Sequence, residues 1–212
     1  IPSSCPICSG KTVIKKDNES EVLICTNPDC AGKKLAQFTH FVSKSCMDIR
    51  GMSEATLNTL ISIGIIKKFK DIYHLSNHKN EIILLDGFGE KSVEKLLQAI
   101  EKSRNIKLEN FIAALGIPNI GSSAAKTISN YFHGNYNEFI QAYNNKFNWT
   151  MLEDFGAVMA ESINNYLHDN FEEVNDLAKE MNFVLPEDHN VNDGQFNAKT
   201  LCVTGKLNHF TR

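Results

Sequence analysis

Four cysteines crowd the start of this 212-residue chain as two close pairs, Cys5 and Cys8 in CPIC and Cys25 and Cys30 in CTNPDC, with 16 residues between the pairs. That spacing is the pattern of a zinc ribbon or zinc finger. Each pair stands on a short knuckle, turned by Pro6 in one case and by Asn27-Pro28 in the other, so that two thiolates can face one ion. Cys5, Cys8, Cys25 and Cys30 are therefore the expected metal ligands. With all four positions filled by sulfur no place is left for water, and the zinc is expected to hold structure and take no part in catalysis. A redox or disulfide pair is the competing reading and explains the regular spacing less well. Cys46 and Cys202 stand apart and read as small buried apolar residues. His40, ten residues beyond Cys30, reads as a packed or hydrogen-bonding histidine before it reads as a ligand.

A second set of residues suggests anion binding. The stretch LDGFGEKSVEKLLQAI (residues 85–100) puts two glycines around one phenylalanine and opens directly into a helical pattern. The same template returns in IRGMSEATLNTLISIG (49–64), IPNIGSSAAKTISNYF (117–132) and LEDFGAVMAESINNYL (152–167). Aligned on the second turn position, the copies fall at Ser53, Gly89, Gly121 and Gly156, in steps of 36, 32 and 35 residues. A period of that size means repeated supersecondary units. Each copy reads as a helix, a tight turn and a second helix, with apolar residues at helical spacing such as Val93, Leu96, Leu97 and Ile100. This pattern resembles the helix-hairpin-helix motif, whose Gly-apolar-Gly turn offers backbone N–H groups and a helix N-terminus to a phosphate.

The resemblance implies DNA contacts at Arg50, Gly51, Gly87, Phe88, Gly89, Glu90, Lys91, Gly121, Ser122, Lys126 and Gly156, with Lys95 supplementing the dipole. Backbone donors bind an anion without much net positive charge, which fits a chain of net charge −3. The first 126 residues hold 17 Lys and Arg against 13 Asp and Glu, and the remaining 86 hold 5 against 12, so an anionic partner prefers the first part. The copies are unequal. Ser53 replaces the second glycine of the first, and Asn119 and Asp154 replace the first glycine of the third and fourth. The turn at Gly87 to Lys91 is expected to be the best phosphate site and Gly121-Ser122 the next. The fourth, where Asp154 repels an anion, is expected to be mainly structural.

The elements that must position these residues follow from the pattern. Thr12-Val13-Ile14 and Val22-Leu23-Ile24 flank a polar turn and predict a hairpin between the cysteine knuckles. The expected fold is mainly α: a small four-cysteine zinc module over residues 1–40, then a helical domain of four helix-hairpin-helix repeats over 41–185. An acidic, polar linker over 186–196 leads to residues 197–212, where Thr200 to Thr204 read as a strand. One strand cannot make a domain, and the TGK beside it lacks the spacing of a phosphate-binding P-loop. No run approaches the roughly 18 apolar residues of a membrane span. The composition, 42% hydrophobic and 22% charged, is that of a globular protein. Nothing suggests export, and the missing initiator methionine is expected of a fragment.

In this order the cysteine module, HFVSKSCMDIRGM, LDGFGEKS, ALGIPNIG and KTLCVTGKLNHFTR closely resemble the C-terminal half of a bacterial NAD-dependent DNA ligase, with the last segment similar to the first strand of a BRCT domain. The resemblance implies a cytoplasmic enzyme of DNA replication and repair that clamps nicked duplex DNA with this half. NAD and magnesium would be bound outside it, and the upstream adenylation and OB-fold domains would be its partners in the same chain. The Lys-x-Asp-Gly motif of the adenylation domain does not occur here, so no catalytic residue is expected and the fragment alone should not seal nicks. The alternative is a stand-alone, non-enzymatic DNA-binding or junction-binding repair factor.

Overall fold

The computed structural model describes residues 2–17 and 20–186. The linker beyond Pro186, Cys202 and the BRCT-like strand lie outside the described residues. Within them the protein is mainly helical, with eight α-helices. Strands β1 (Thr12–Asp17) and β2 (Ser20–Cys25) form the expected antiparallel hairpin, with Thr12 opposite Cys25 and Val13 opposite Ile24. Helix α1 (Ala31–Val42) starts directly after Cys30 and buries Phe38, Phe41 and Val42. It runs through residues 40 and 41, where the sequence divides ribbon from helical body. One rigid helix thus joins the ribbon to the core, and Phe41 stacks on Phe69 with ring centres 4.3 Å apart.

The helical body is made of four hairpin units. The first is α1 with α2 (Glu54–Ser62). A 3₁₀ stretch, Phe69–His78, and the short α3 (Lys79–Ile83) lead into α4 (Glu90–Ser103). The third joins α5 (Leu108–Ala114) to α6 (Ser122–Tyr131). The fourth joins α7 (Tyr136–Asn144) and a 3₁₀ turn, Trp149–Met151, to α8 (Ala157–Ala178). None of these helices is long and apolar enough to cross a membrane. Their apolar stripes, such as Val93, Leu96 and Ile100 of α4, meet in one core that includes Phe111, Phe139 and Trp149. Deletion of such side chains to alanine typically costs about 3–5 kcal/mol, so the core holds the hairpins in place.

The end of the helical body is clasped back onto its middle. Strand β3 (Asn105–Ile106) pairs in parallel with β4 (Asn182–Phe183), and the Asn182 amide donates to the Arg104 carbonyl at 2.7 Å. The Arg104 guanidinium donates to Glu180 Oε2 at 2.7 Å and to the Tyr73 carbonyl at 2.9 Å, and lies over the Tyr73 ring. Burial alone would raise the Glu180 carboxyl, but its bond to Arg104 and the nearby His74 hold it below its ordinary value of 4.5. A depressed carboxylate contributes stability above its unfolded value and loses that contribution as pH falls through the lower folded value. Glu180→Gln is therefore expected to lower the melting temperature at neutral pH, and the gap from the parent should close as pH falls below 4.5. Thermal melts of both proteins across that range check it; a gap independent of pH would mean the carboxylate charge is not what the clasp uses.

Candidate nucleic-acid interface and metal centre

The sulfurs of Cys5, Cys8, Cys25 and Cys30 all lie within 4.8 Å of one another. Cys8 and Cys25 are 3.5 Å apart, and Cys5 and Cys30 3.9 Å. These separations exceed a disulfide bond of about 2.05 Å. They match the edge of a thiolate tetrahedron, about 3.8 Å for metal–sulfur bonds of about 2.3 Å. The four cysteines can hold one metal ion. His40 is not among them: its Nε2 lies 2.8 Å from the Ala113 carbonyl and 3.6 Å from Sγ of the buried Cys46. His40 is thus an exposed, hydrogen-bonding histidine and Cys46 a buried cysteine, in line with their isolation in the sequence.

The backbone is arranged for thiolates. Cys5 Sγ accepts from the amides of Cys8 and Ile7, which pull its pKa down. Cys8 is held at about 6 by the Gly10 amide and then by the Asn27 side chain. Desolvation pushes Cys25 up to about 11, against the Asn27 amide, and the neighbouring thiols push the same way. A divalent cation held by Cys5, Cys8, Cys25 and Cys30 would resolve this conflict by favouring the thiolate form. Cys30 is buried at the N-cap of α1, so the start of that helix fixes the fourth sulfur. The sequence places Asn27 at the turn of its knuckle without giving it a bond to sulfur, and does not single out Gly10. A Cβ on Gly10 would come 3.0 Å from Asn27 Cβ and 3.2 Å from Cys8 Sγ, so a side chain there would push the knuckles apart.

The four turns share one backbone. Their first positions, Gly51, Gly87, Asn119 and Asp154, all have positive φ, at 88°, 84°, 64° and 61°. Asparagine and aspartate are the residues that best tolerate this conformation after glycine, which explains both replacements. The middle residue, Met52, Phe88, Ile120 or Phe155, packs into the core, and its amide donates to Ile49, Leu85, Ile117 or Leu152 respectively. The second positions, Ser53, Gly89, Gly121 and Gly156, are the N-caps of α2, α4, α6 and α8.

These N-caps are extended, Gly89 at φ −88°, so a side chain at Gly89 brings no positive-φ strain. A Cβ on Gly89, Gly121 or Gly156 would meet nothing within 4 Å. The fold itself therefore does not demand glycine at these three places. Ser53 differs: its hydroxyl accepts from the Thr56 amide and caps α2 from within the chain. The other three N-caps make no side-chain cap, which leaves the first amides of α4, α6 and α8 open to an outside acceptor.

The turns are grouped in pairs. A Cβ on Gly51 would lie 3.8 Å from Leu96 on α4, and Asn119 Nδ2 donates to Ser162 Oγ on α8 at 2.9 Å. Turn one thus rests on the second helix of hairpin two, and turn three on that of hairpin four. Lys91, Lys95 and Lys126 are exposed and enter no ion pair among the described residues. Glu90 and Ser122 open α4 and α6 at the surface. Arg50 lies 3.8 Å from Asp48, which partly offsets its charge.

Fold and site together define a helix-hairpin-helix protein carrying a four-cysteine ribbon. A family described as the helix-hairpin-helix motif matches residues 110–177. DNA ligases match the whole chain: that of Lachnoclostridium phytofermentans is 39% identical over 100% of the chain and 32% of its own length, and that of Petrotoga mobilis 35% over 100% and 31%. The DNA ligase of Ruminiclostridium cellulolyticum is 45% identical over 67% of the chain and 22% of its own length. The chain is homologous to a segment of the DNA ligases, and it spans less than a third of the length of these curated relatives.

Proposed function

We propose that the chain is the C-terminal, DNA-clamping part of a bacterial NAD-dependent DNA ligase, acting on nicked duplex DNA in replication and repair in the cytoplasm. The observation that carries this reading is the set of glycine N-caps whose Cβ positions face open space. A glycine that the fold does not need is explained by an outside backbone that must come close, and open helix amides suit a phosphate. Gly87, Phe88, Gly89, Glu90 and Lys91 form the leading phosphate turn, with Gly121, Ser122 and Lys126 next. Arg50, Gly51 and Gly156 supply further contacts. Zinc is the metal that four thiolates at tetrahedral spacing fit best, and it fixes the ribbon beside α1.

In this reading residues 1–40 form the zinc module, 41–185 the DNA-binding body, 186–196 a linker and 197–212 the start of a BRCT domain. The adenylation and OB-fold domains, with NAD and magnesium, belong to the rest of the parent enzyme, and this part alone does not seal nicks. Amides read phosphates and carry no base information. Unlabelled duplexes of unrelated sequence are therefore expected to displace a labelled nicked duplex at similar concentrations. A competition experiment in which one sequence displaces far better than the others would overturn the phosphate reading.

A further inference from the structure

Aligned on their helix N-caps, the repeats fall into two kinds. Five residues before the N-cap, repeats one and three carry Asp48 and Gly116 at positive φ, 46° and 67°. Repeats two and four carry Leu84 and Met151 there. Three backbone bonds around these two correspond, although Leu84 ends an α-helix and Met151 a 3₁₀ turn. Leu84 donates to Glu81 and Met151 to Asn148; Leu85 donates to Ile82 and Leu152 to Trp149; Phe88 donates to Leu85 and Phe155 to Leu152. Leu84 is 85% exposed and Met151 69% exposed, more than any other large apolar side chain among the described residues.

One exposed leucine needs no explanation. Two large apolar residues at one register position of a repeat, each beside a turn with open amides, point to a shared partner. The next residue in each copy, Leu85 or Leu152, packs into the core, so the exposure is a property of this position and not of a loose turn. In repeat four the apolar surface extends to Val158, 65% exposed in the first turn of α8, where repeat two has Lys91. Repeat four thus offers apolar area where repeat two offers a cation.

We propose that Leu84 and Met151 pack on the deoxyribose and base edges of the duplex minor groove, one beside each of turns two and four. This rests on the DNA-binding reading above and adds to it a contact that is not ionic. Between phosphates the duplex presents the C–H surface of its sugars, and leucine and methionine are among the apolar residues that minor-groove proteins bring into the groove, there as wedges at base steps. A turn that brings its amides to a phosphate carries the residue beside it to that surface.

The test is binding of the chain to a labelled nicked duplex over a series of salt concentrations, with the Leu84→Ser/Met151→Ser double variant, the swap Leu84→Met/Met151→Leu, and Lys91→Ala. Burial of a large apolar side chain is worth about tenfold in affinity when partial, so the double serine variant should bind on the order of 100-fold more weakly. Its salt slope should match the parent's, because no phosphate contact is removed, while Lys91→Ala should lower the slope by up to about 0.9. The swap should bind like the parent. A folded double serine variant with parental affinity, or one whose weaker binding comes with a lower slope, overturns the inference, and so does a double variant that fails to fold. If the parent itself does not bind duplex DNA, the DNA-binding reading fails first.

Discussion

Replacing Cys25 by serine is expected to cost the chain its metal and to unfold the ribbon, while the hairpin units stay helical. The parent should carry one zinc per chain and the variant none. The ribbon has little else to hold it. Val13, Ile14, Val22, Leu23 and Ile24 are all substantially exposed, so neither face of the hairpin is packed. A lone two-stranded hairpin is marginal in water. Structural zinc supplies about 10–16 kcal/mol in small peptides, far more than these contacts can replace. The helical body does not depend on it, because Phe38, Phe41 and Val42 tie α1 to the core from beyond the ribbon. Metal analysis with circular dichroism and limited proteolysis tests this: cleavage should be confined to the ribbon. Parent protein purified without chelator and found to contain no zinc would remove the basis of the prediction.

The second large effect is expected from Gly89→Val. Extended backbone at Gly89 and open space around its Cβ mean that valine fits the fold without strain. Its branched carbons would stand where a phosphate must approach the amides of Glu90 and Lys91. Loss of charge-assisted hydrogen bonds costs about 2 kcal/mol or more, which is about thirtyfold in affinity. The loss should appear at every salt concentration, with the slope changing by no more than the single phosphate given up, about 0.9. Lys95→Ala should weaken binding only modestly and mainly at low salt, since an exposed lysine acts through a screened field. Gly87→Val, by contrast, forces φ of 84° on a branched residue and should destabilise the fold itself. A folded Gly89→Val protein that binds DNA as well as the parent would show that this turn is only a corner.

What could be read from the sequence is what neighbouring residues decide among themselves. Two cysteine pairs on short knuckles, a hairpin between them, and a Gly-apolar-Gly turn before a helix are each set by a few adjacent residues. Ligand spacing and φ preference leave their mark in the order of those residues. The repeat period carried the fold class in the same way, because each copy encodes its own turn and helix. Asn119 and Asp154 looked like departures from the turn pattern, yet they keep its backbone, since both tolerate positive φ.

Only the tertiary structure decided which groups from distant parts of the chain meet. The clasp of Arg104 with Glu180 and Tyr73 spans 76 and 31 residues, and no local pattern marks either partner. Gly10 owes its importance to Asn27 across the hairpin, which becomes its neighbour only when the knuckles close. The resting of turn one on α4 and of turn three on α8 depends on how stripes pack in the common core. Leu84 and Met151 look like any other apolar residues of a helical stripe until packing leaves them outside. Hydrophobicity says that a side chain prefers burial; geometry, fixed by the whole chain at once, decides whether there is room for it.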